Sequence, residues 1–357
     1  MVDVIGNAPP SGRDAVAGEA QSERRAPALG RFVFVMGTGV ISLSLSAAGI
    51  RPLSFVFLGI AVAGYLELVI IEGLVILRRP RSLLASFATL RASLGAFTFA
   101  VGTLVLASSF AQLTAIPLAF ALLILGGAAA VALAYLVPVN ALWRHFPTGR
   151  LGLGGGLWLL WPVALDATSV AASSISATGR MAEGALAVLA VGAWALGIAL
   201  YLPLLAALLG RLVLRDVPLR EIGPSYWVTM GAAALSCLAA AHIGGNPATR
   251  TDFDRGLATM AVEASWLLWF LATALLPVVL GLSIARTRFR SQLVGSPKEL
   301  WVPVFPAAMY ALATRTLGLT TDVRWLAILG GWAVWLGVAV FMVEVFRGVR
   351  MLLLPER

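Results

Sequence analysis

The sequence predicts an all-α integral membrane protein in which ten transmembrane helices form five helical hairpins. Three observations support this fold class. Hydrophobic residues make up 60% of the 357 residues and charged residues only 12%, a composition too apolar for a soluble domain. Ten apolar runs are each long enough to cross a bilayer. A short aromatic motif recurs in every second run, which makes one hairpin the repeating unit.

The ten runs lie in chain order near residues 31–50, 53–77, 93–113, 115–137, 157–178, 184–210, 224–243, 259–284, 300–318 and 325–346. A hydrocarbon core of roughly 30 Å needs about 20 helical residues, and these runs are too long for the strands of a membrane barrel. We therefore expect a ten-helix transmembrane domain over residues 30–348. A flexible cytoplasmic tail over 1–29 and a short cytoplasmic tail over 349–357 should flank it.

The basic residues predict the orientation of the helices. With the N-terminus inside, 20 of the 26 Lys and Arg residues fall on the cytoplasmic side and 6 fall outside. Because membrane proteins retain positive charge on the cytoplasmic side, we expect a multi-pass protein of the cell membrane with both termini cytoplasmic. The basic residues lie in short loops rather than on one surface, which argues against a nucleic-acid partner.

Each odd-numbered run contains an aromatic residue, and the residue four positions later occupies an equivalent place in all five runs. The pairs are Phe32 and Met36, Phe97 and Val101, Trp158 and Pro162, Tyr226 and Met230, and Trp301 and Phe305. Successive motifs are 65, 61, 68 and 75 residues apart. Since alternate helices cross in the same direction, equivalent positions should lie at similar depth. We therefore expect the second residues of the five pairs to form one constricting layer.

Hydroxyl side chains separate the odd runs from the even runs. The odd runs contain 20 Ser and Thr residues and the even runs contain 5. Polar groups in hydrocarbon are costly unless they meet water, each other or the backbone. This distribution predicts an inner ring of odd helices around a water-accessible pathway, with the even helices outside. A dry packed seam is the alternative, because Ser and Thr also permit close helix packing.

Phe305 is the candidate gate of this pathway. Its bulky ring directly precedes Pro306 inside an apolar run, a pattern that predicts a kinked helix directing the ring toward the pathway. A packed aromatic side chain within the bundle is the alternative. Glycines beside the layer should leave room for the ring to move. The residues expected to line the pathway are Met36, Gly37, Thr38, Val101, Gly102, Thr103, Pro162, Asp166, Met230, Gly231, Pro306 and Met309.

Catalytic and metal-binding chemistry have no candidate cluster in the sequence. His145 and His242 are far apart, Cys237 is the one cysteine, and the carboxylates are not clustered. A metal centre, a cofactor site and a membrane hydrolase are therefore not expected. A receptor scaffold would need a sizeable soluble domain, and the sequence has none.

Five stretches of the odd runs resemble the tellurite-resistance/dicarboxylate transporter family, which includes the plant guard-cell slow anion channels and the fungal malate and sulfite transporters. They are FVMGTGVI at 34–41, FTFAVGTLVL at 97–106, WLLW at 158–161, PSYWVTMGA at 224–232 and WVPVFPAAMY at 301–310. The resemblance covers residues 31–346. It implies a quasi-fivefold ring of hairpins around one pore per subunit, a pore occluded by a phenylalanine at the position of Phe305, and an assembly of three subunits.

The resemblance also implies conduction of anions without fixed positive charge, and we find no Lys or Arg in the interior of the odd runs. The expected function is transport of small anions, with C4-dicarboxylates such as malate as the first choice. Sulfite, tellurite, chloride and nitrate are the alternatives. The expected partners are these anions, the lipid bilayer and further copies of the chain.

Asp166 does not fit a simple anion pore. It lies four residues after Pro162, on the same helix face, and a carboxylate at the bilayer centre costs roughly 2.5–3.5 kcal/mol by insertion scales. An ionised Asp166 would also repel an anion. Asp166 is either protonated and couples anion movement to protons, or turned off the axis and hydrogen-bonded to Thr168 or a facing hydroxyl.

Overall fold

The computed structural model describes residues 28–78, 80, 87, 89–145, 155–214, 223–247, 252–289 and 301–353. Its ten long helices are α1 (Val33–Ala47), α2 (Arg51–Arg78), α3 (Phe97–Gln112), α4 (Ile116–His145), α5 (Leu160–Ser176), α6 (Glu183–Leu214), α7 (Trp227–Gly245), α8 (Asp252–Phe289), α9 (Val304–Thr320) and α10 (Arg324–Leu353). Residues 1–27 and 354–357 of the two predicted tails and the side chain of His145 lie outside the described residues. Helix α10 continues to Leu353, past the boundary predicted at residue 348.

The helices of the described chain have the length and hydropathy of an integral membrane protein. Nine helical segments are long and apolar enough to cross a bilayer. Helix α9, with 17 residues, is slightly shorter than these segments. The even helices are 28 to 38 residues long, whereas the odd helices are 15 to 19.

Each odd helix begins after a tight turn or a short helix, and the aromatic residue of the repeat marks this junction. The preceding segments are the 3-10 turns Leu29–Phe32, Gly156–Leu159 and Pro224–Tyr226 and the short helix Leu90–Gly95. Helix α9 follows a turn over residues 301–303. The repeat found in the sequence is therefore a repeat of local structure, at the point where the chain enters each odd helix.

Pro306 lies in the first turn of a helix instead of kinking one. Helix α9 begins at Val304, so Pro306 is its third residue, and Pro162 holds the same position in α5. Proline is tolerated in the first turn of a helix, where its missing N–H would have had no intrahelical partner. The predicted kink at Pro306 is therefore wrong. Interior prolines occur instead in the even helices α4, α6 and α8.

Contacts between helices follow the order of the chain. Each odd helix packs against the even helix that follows it, which gives the five predicted hairpins. The odd helices also contact one another in sequence, from α1 to α3, α5, α7 and α9, and α9 contacts α1. Every odd helix therefore has two odd neighbours and at least one even neighbour.

Burial differs sharply between the two sets of helices. In an apolar stretch of 18 residues taken from each segment, buried residues make up 72% to 89% for α1, α3, α5 and α7, but only 28% to 33% for the even helices. Most residues of α9 are buried as well. The even helices carry large exposed apolar side chains, such as Tyr135, Leu267 and Trp332, as expected for a surface in contact with lipid.

Arg315 lies inside α9, which corrects the expectation that no Lys or Arg lies in the interior of an odd helix. Its Nε donates a hydrogen bond to the carbonyl of Ala47, and its Nη1 donates to the carbonyl of Ala327 at 2.9 Å. Ala47 is the last residue of α1, where carbonyls lack intrahelical partners. Arg315 therefore joins the end of α1 to the start of α10.

Candidate functional site around Phe305

Phe305 is the second residue of α9, and its side chain is fully buried. The backbone N–H of Val304 donates to the carbonyl of Trp301, and that of Ala307 donates to the carbonyl of Pro303, each at 3.3 Å. These bonds continue the turn directly into the helix. The position of the Phe305 ring is therefore set by a short, hydrogen-bonded stretch of backbone.

The other positions of the predicted layer are buried too. Met36, Val101 and Met230 are at most 1% exposed, and Pro162 is buried. Met36, Val101 and Met230 belong with Phe305 and Met309 to the main apolar cluster of the molecule. None of these side chains carries a charge or a hydrogen-bond donor. A layer built from them would oppose the passage of ions by excluding water.

The glycines beside the layer allow neighbouring segments to pack closely and do not leave open space. A Cβ added at Gly37 would lie 3.1 Å from Val304 Cγ1, and one at Gly231 would lie 3.0 Å from Pro306 Cβ and Cγ. At Gly102 the nearest atom would be the carbonyl oxygen of Phe32, at 3.5 Å. The predicted room for ring movement is thus filled in this conformation.

The two threonines of the predicted lining bond to the backbone of their own helices. Thr38 Oγ1 donates to the carbonyl of Phe34, and Thr103 Oγ1 donates to the carbonyl of Phe99, both at 2.8 Å. Thr103 also lies 3.1 Å from the hydroxyl of Tyr65 on α2. Such bonds satisfy a hydroxyl within a membrane helix, and the Tyr65 contact places the Thr103 side chain toward an even helix.

Asp166 is fully buried between α5, α6 and α7. Its Oδ2 accepts a hydrogen bond from Ser236 Oγ of α7. On the other side it packs against α6, where a Cβ added at Gly197 would overlap with Asp166 Oδ1. Thr168, the other partner considered, donates to the carbonyl of Ala164 at 2.8 Å. A facing hydroxyl is therefore the observed partner of Asp166.

Ser169 and Ser173 of α5 are candidate site residues that were not predicted from the sequence. Both are buried, and their hydroxyls have no hydrogen-bond partner among the described residues. Their spacing could have indicated them, because they lie seven and eleven residues after Pro162 and therefore on nearly the same face of α5 as this predicted lining residue. Arg315 was also missed, and no sequence pattern indicated its distant partners.

The region around Phe305 is apolar and closed, which suits a barrier to ions better than catalysis. Within the described residues no group of His, Cys, Asp and Glu is arranged to hold a metal ion. The described arginines other than Arg315 lie outside the five odd helices. Positive charge at the ends of a bundle attracts anions without binding them in its interior.

Residues 28–349 match the family model described as the voltage-dependent anion channel, SLAC1. The chain belongs to this family. The match confirms the family resemblance predicted from the five aromatic stretches, and it includes all ten helices up to the last residues of α10. Proteins of the SLAC1 family are anion channels and transporters, so membership supports anion transport rather than enzymatic activity.

Two curated relatives of this SLAC1-family chain are proteins of Mycobacterium tuberculosis, one from strain CDC 1551 and one from strain H37Rv. Each is called an uncharacterized membrane protein. Each is 28% identical to the chain over 146 residues, which is 40% of this chain and 72% of the relative. Their names agree with a multi-pass membrane protein and specify no cargo.

Proposed function

We propose that this chain carries small anions across the cell membrane through a path enclosed by the five odd helices and occluded by Phe305. C4-dicarboxylates such as malate are the first candidate cargo. The odd helices are proposed to form a quasi-fivefold ring around this path, and three copies of the chain to assemble side by side, as the family resemblance implies. The cytoplasmic end is proposed to be the more basic one.

One observation carries the proposal: Phe305 is fully buried in a bundle whose five buried odd helices contact one another in a closed sequence. Such a contact sequence is expected when helices surround an axis. Membership of the anion-channel family supports an anion as the cargo. The five residues of the predicted layer carry no charge, and a pathway that holds anions only weakly lets an anion that enters also leave.

The cargo is tested by flux into proteoliposomes that contain the purified full-length chain. Uptake of malate, sulfite, nitrate and chloride is compared at equal concentration and at two pH values, with protein-free vesicles as the background. Malate uptake above the other anions is the expected result. Preference for an inorganic anion would show that malate is not the main cargo but would still support anion transport. Background uptake of all four would contradict anion transport.

The Phe305→Ala variant tests the gate in the same assay. Removal of the ring should open the apolar layer and raise flux by about tenfold, if the ring contributes ~1.4 kcal/mol to the barrier. Phe57→Ala is the matched control, because Phe57 is a buried phenylalanine of α2 that packs against Phe341 of α10 at a ring distance of 5.2 Å. Unchanged flux in Phe305→Ala, or an equal rise in both variants, would contradict gating by Phe305.

A further inference from the structure

Four buried polar atoms have no hydrogen-bond partner among the described residues, and all four belong to the segment from Trp161 to Ser173 of α5. They are Trp161 Nε1, Asp166 Oδ1, Ser169 Oγ and Ser173 Oγ. Ser169 and Ser173 are 0% and 1% exposed. Most buried polar groups in proteins are hydrogen-bonded, and an exception calls for a physical explanation.

Comparable hydroxyls elsewhere in the bundle are satisfied. Ser108 and Ser109 of α3 donate to carbonyls one turn earlier, at 3.1 and 2.9 Å. Ser265 of α8, also fully buried, donates to the carbonyl of Val262 at 2.6 Å. The hydroxyls of Ser169 and Ser173 are thus available for a partner that the closed conformation does not supply.

Helical geometry places these two serines on the face that carries the layer position. With about 3.6 residues per turn, residues seven and eleven positions after Pro162 lie within about 20° of it and roughly 10 and 16 Å further along the axis. Asp166, four positions after Pro162, is about 40° away. Its bond to Ser236 and its contact with Gly197 place its carboxyl toward α6 and α7.

The positions seven and eleven residues after the layer residue are occupied by polar or thiol side chains in other odd helices as well. Seven residues beyond the layer the odd helices carry Leu43, Ser108, Ser169, Cys237 and Leu312, and eleven residues beyond it they carry Ala47, Gln112, Ser173, Ala241 and Thr316. At each of these levels three of the five side chains are polar or carry a thiol, whereas the layer itself has none. The path proposed above therefore changes from apolar to hydrogen-bonding on one side of Phe305.

We propose that Ser169 and Ser173 form an anion-binding step beyond the apolar layer, where their hydroxyls donate hydrogen bonds to the passing anion. The ligand class is small anions that accept hydrogen bonds, which includes carboxylates, oxyanions and halides. The proposal rests on the proposed function, because it places both serines along the anion path. A buried donor without a partner destabilises the closed conformation, so an open path that brings an anion to both hydroxyls is favoured by comparison.

Thiol labelling tests the position of the serines without a transport assay. Cys237 is the one cysteine of the chain, so Ser169→Cys in a Cys237→Ala background provides a single thiol. The probe is the anionic reagent 2-sulfonatoethyl methanethiosulfonate, applied to the full-length chain in detergent. Ser265→Cys in the same background is the control, because Ser265 is equally buried on an even helix.

Labelling at position 169 should be faster than at position 265, should accelerate when Phe305→Ala is added, and should slow in the presence of malate or nitrate. Labelling no faster than in the control, even with Phe305→Ala, would place Ser169 in a dry seam and overturn the proposal. Labelling that neither malate nor nitrate slows would also overturn it, since a binding step must be occupied by its ligand.

Transport kinetics test the binding role. Ser169→Ala and Ser173→Ala should each raise the half-saturating anion concentration by at least about tenfold, the lower end of the effect of removing a hydrogen bond to a charged group. Ser169→Thr, which keeps the hydroxyl, should restore it, and Ser265→Ala should leave it unchanged. Wild-type protein without anion flux would refute the proposed function itself. Wild-type flux with unchanged half-saturation in both alanine variants would refute only this binding step.

Discussion

At the scale of single residues, Asp166 is a buried carboxyl within a membrane helix, and it has two possible roles, in helix packing and in proton coupling. Its carboxyl lies among α5, α6 and α7, bonded to Ser236 and packed against Gly197. A buried carboxyl with a side-chain partner helps to specify how helices pack, because separating the partners leaves both unsatisfied. Proton coupling through Asp166 requires in addition that the carboxyl exchange protons during transport.

The Asp166→Asn variant separates these two roles. We expect anion flux and its pH profile to be unchanged, because asparagine keeps the shape of the side chain and can still bond to Ser236. The measurement is proteoliposome flux at several pH values between about 5 and 8, with wild type in parallel. Loss of the pH dependence in the variant would show that Asp166 carries protons.

At the scale of helices, small residues decide how closely an odd helix approaches its neighbours. Gly37 and Gly231 meet the first residues of α9, and Gly197 of α6 meets Asp166 of α5. In membranes helices associate mainly through close packing and hydrogen bonds, since lipid is as apolar as the side chains. The approach of α6 to α5 therefore depends on the absence of a side chain at position 197.

Gly197→Ala should destabilise the protein by about 1–3 kcal/mol, because the added Cβ forces Asp166 or α6 to move. Gly192→Ala is a control in the same helix, since a Cβ there would meet no heavy atom within 4 Å. Alanine at such an exposed helical position is neutral or stabilises by up to about 1 kcal/mol. Thermal unfolding in detergent measures both variants. Equal shifts in Tm for the two variants would show that the close packing at Gly197 does not contribute to the stability of the protein.

At the scale of the whole molecule, the distribution of charge predicts how the bundle lies in the membrane. On the described chain, Arg31 and Arg347 lie near the start of α1 and the end of α10, the end predicted to be cytoplasmic. Arg51 and Arg324 begin the even helices α2 and α10 at the opposite end. Over the whole sequence, 20 of the 26 Lys and Arg residues are assigned to the first end, and this excess predicts a cytoplasmic location by the positive-inside rule.

Reporter fusions test this orientation. Green fluorescent protein fused to either terminus should fluoresce, whereas alkaline phosphatase at the same positions should be inactive, because both termini are predicted to be cytoplasmic. A phosphatase inserted after residue 179, in the connection between α5 and α6, should be active. The reverse pattern would invert the proposed topology. An active phosphatase at only one terminus would contradict an even number of membrane crossings.

Much of the architecture could be predicted from the sequence because a bilayer imposes strong local requirements. Each crossing segment must be long, apolar and helical, so the number and order of the helices follow from the chain itself. The excess of hydroxyls in the odd runs agrees with their greater burial. The aromatic repeat predicted which positions of the odd helices correspond, and all five positions of the predicted layer are buried.

The membrane class, the hairpin order and the family could therefore be predicted in advance, because they depend on patterns that run along the chain. The partner of each buried polar group became known only from the packed helices. Asp166 bonds to a residue 70 positions away and Arg315 to one 268 positions away, while Ser169 and Ser173 have no partner among the described residues. Such pairings depend on how helices meet in space, and no local pattern encodes them.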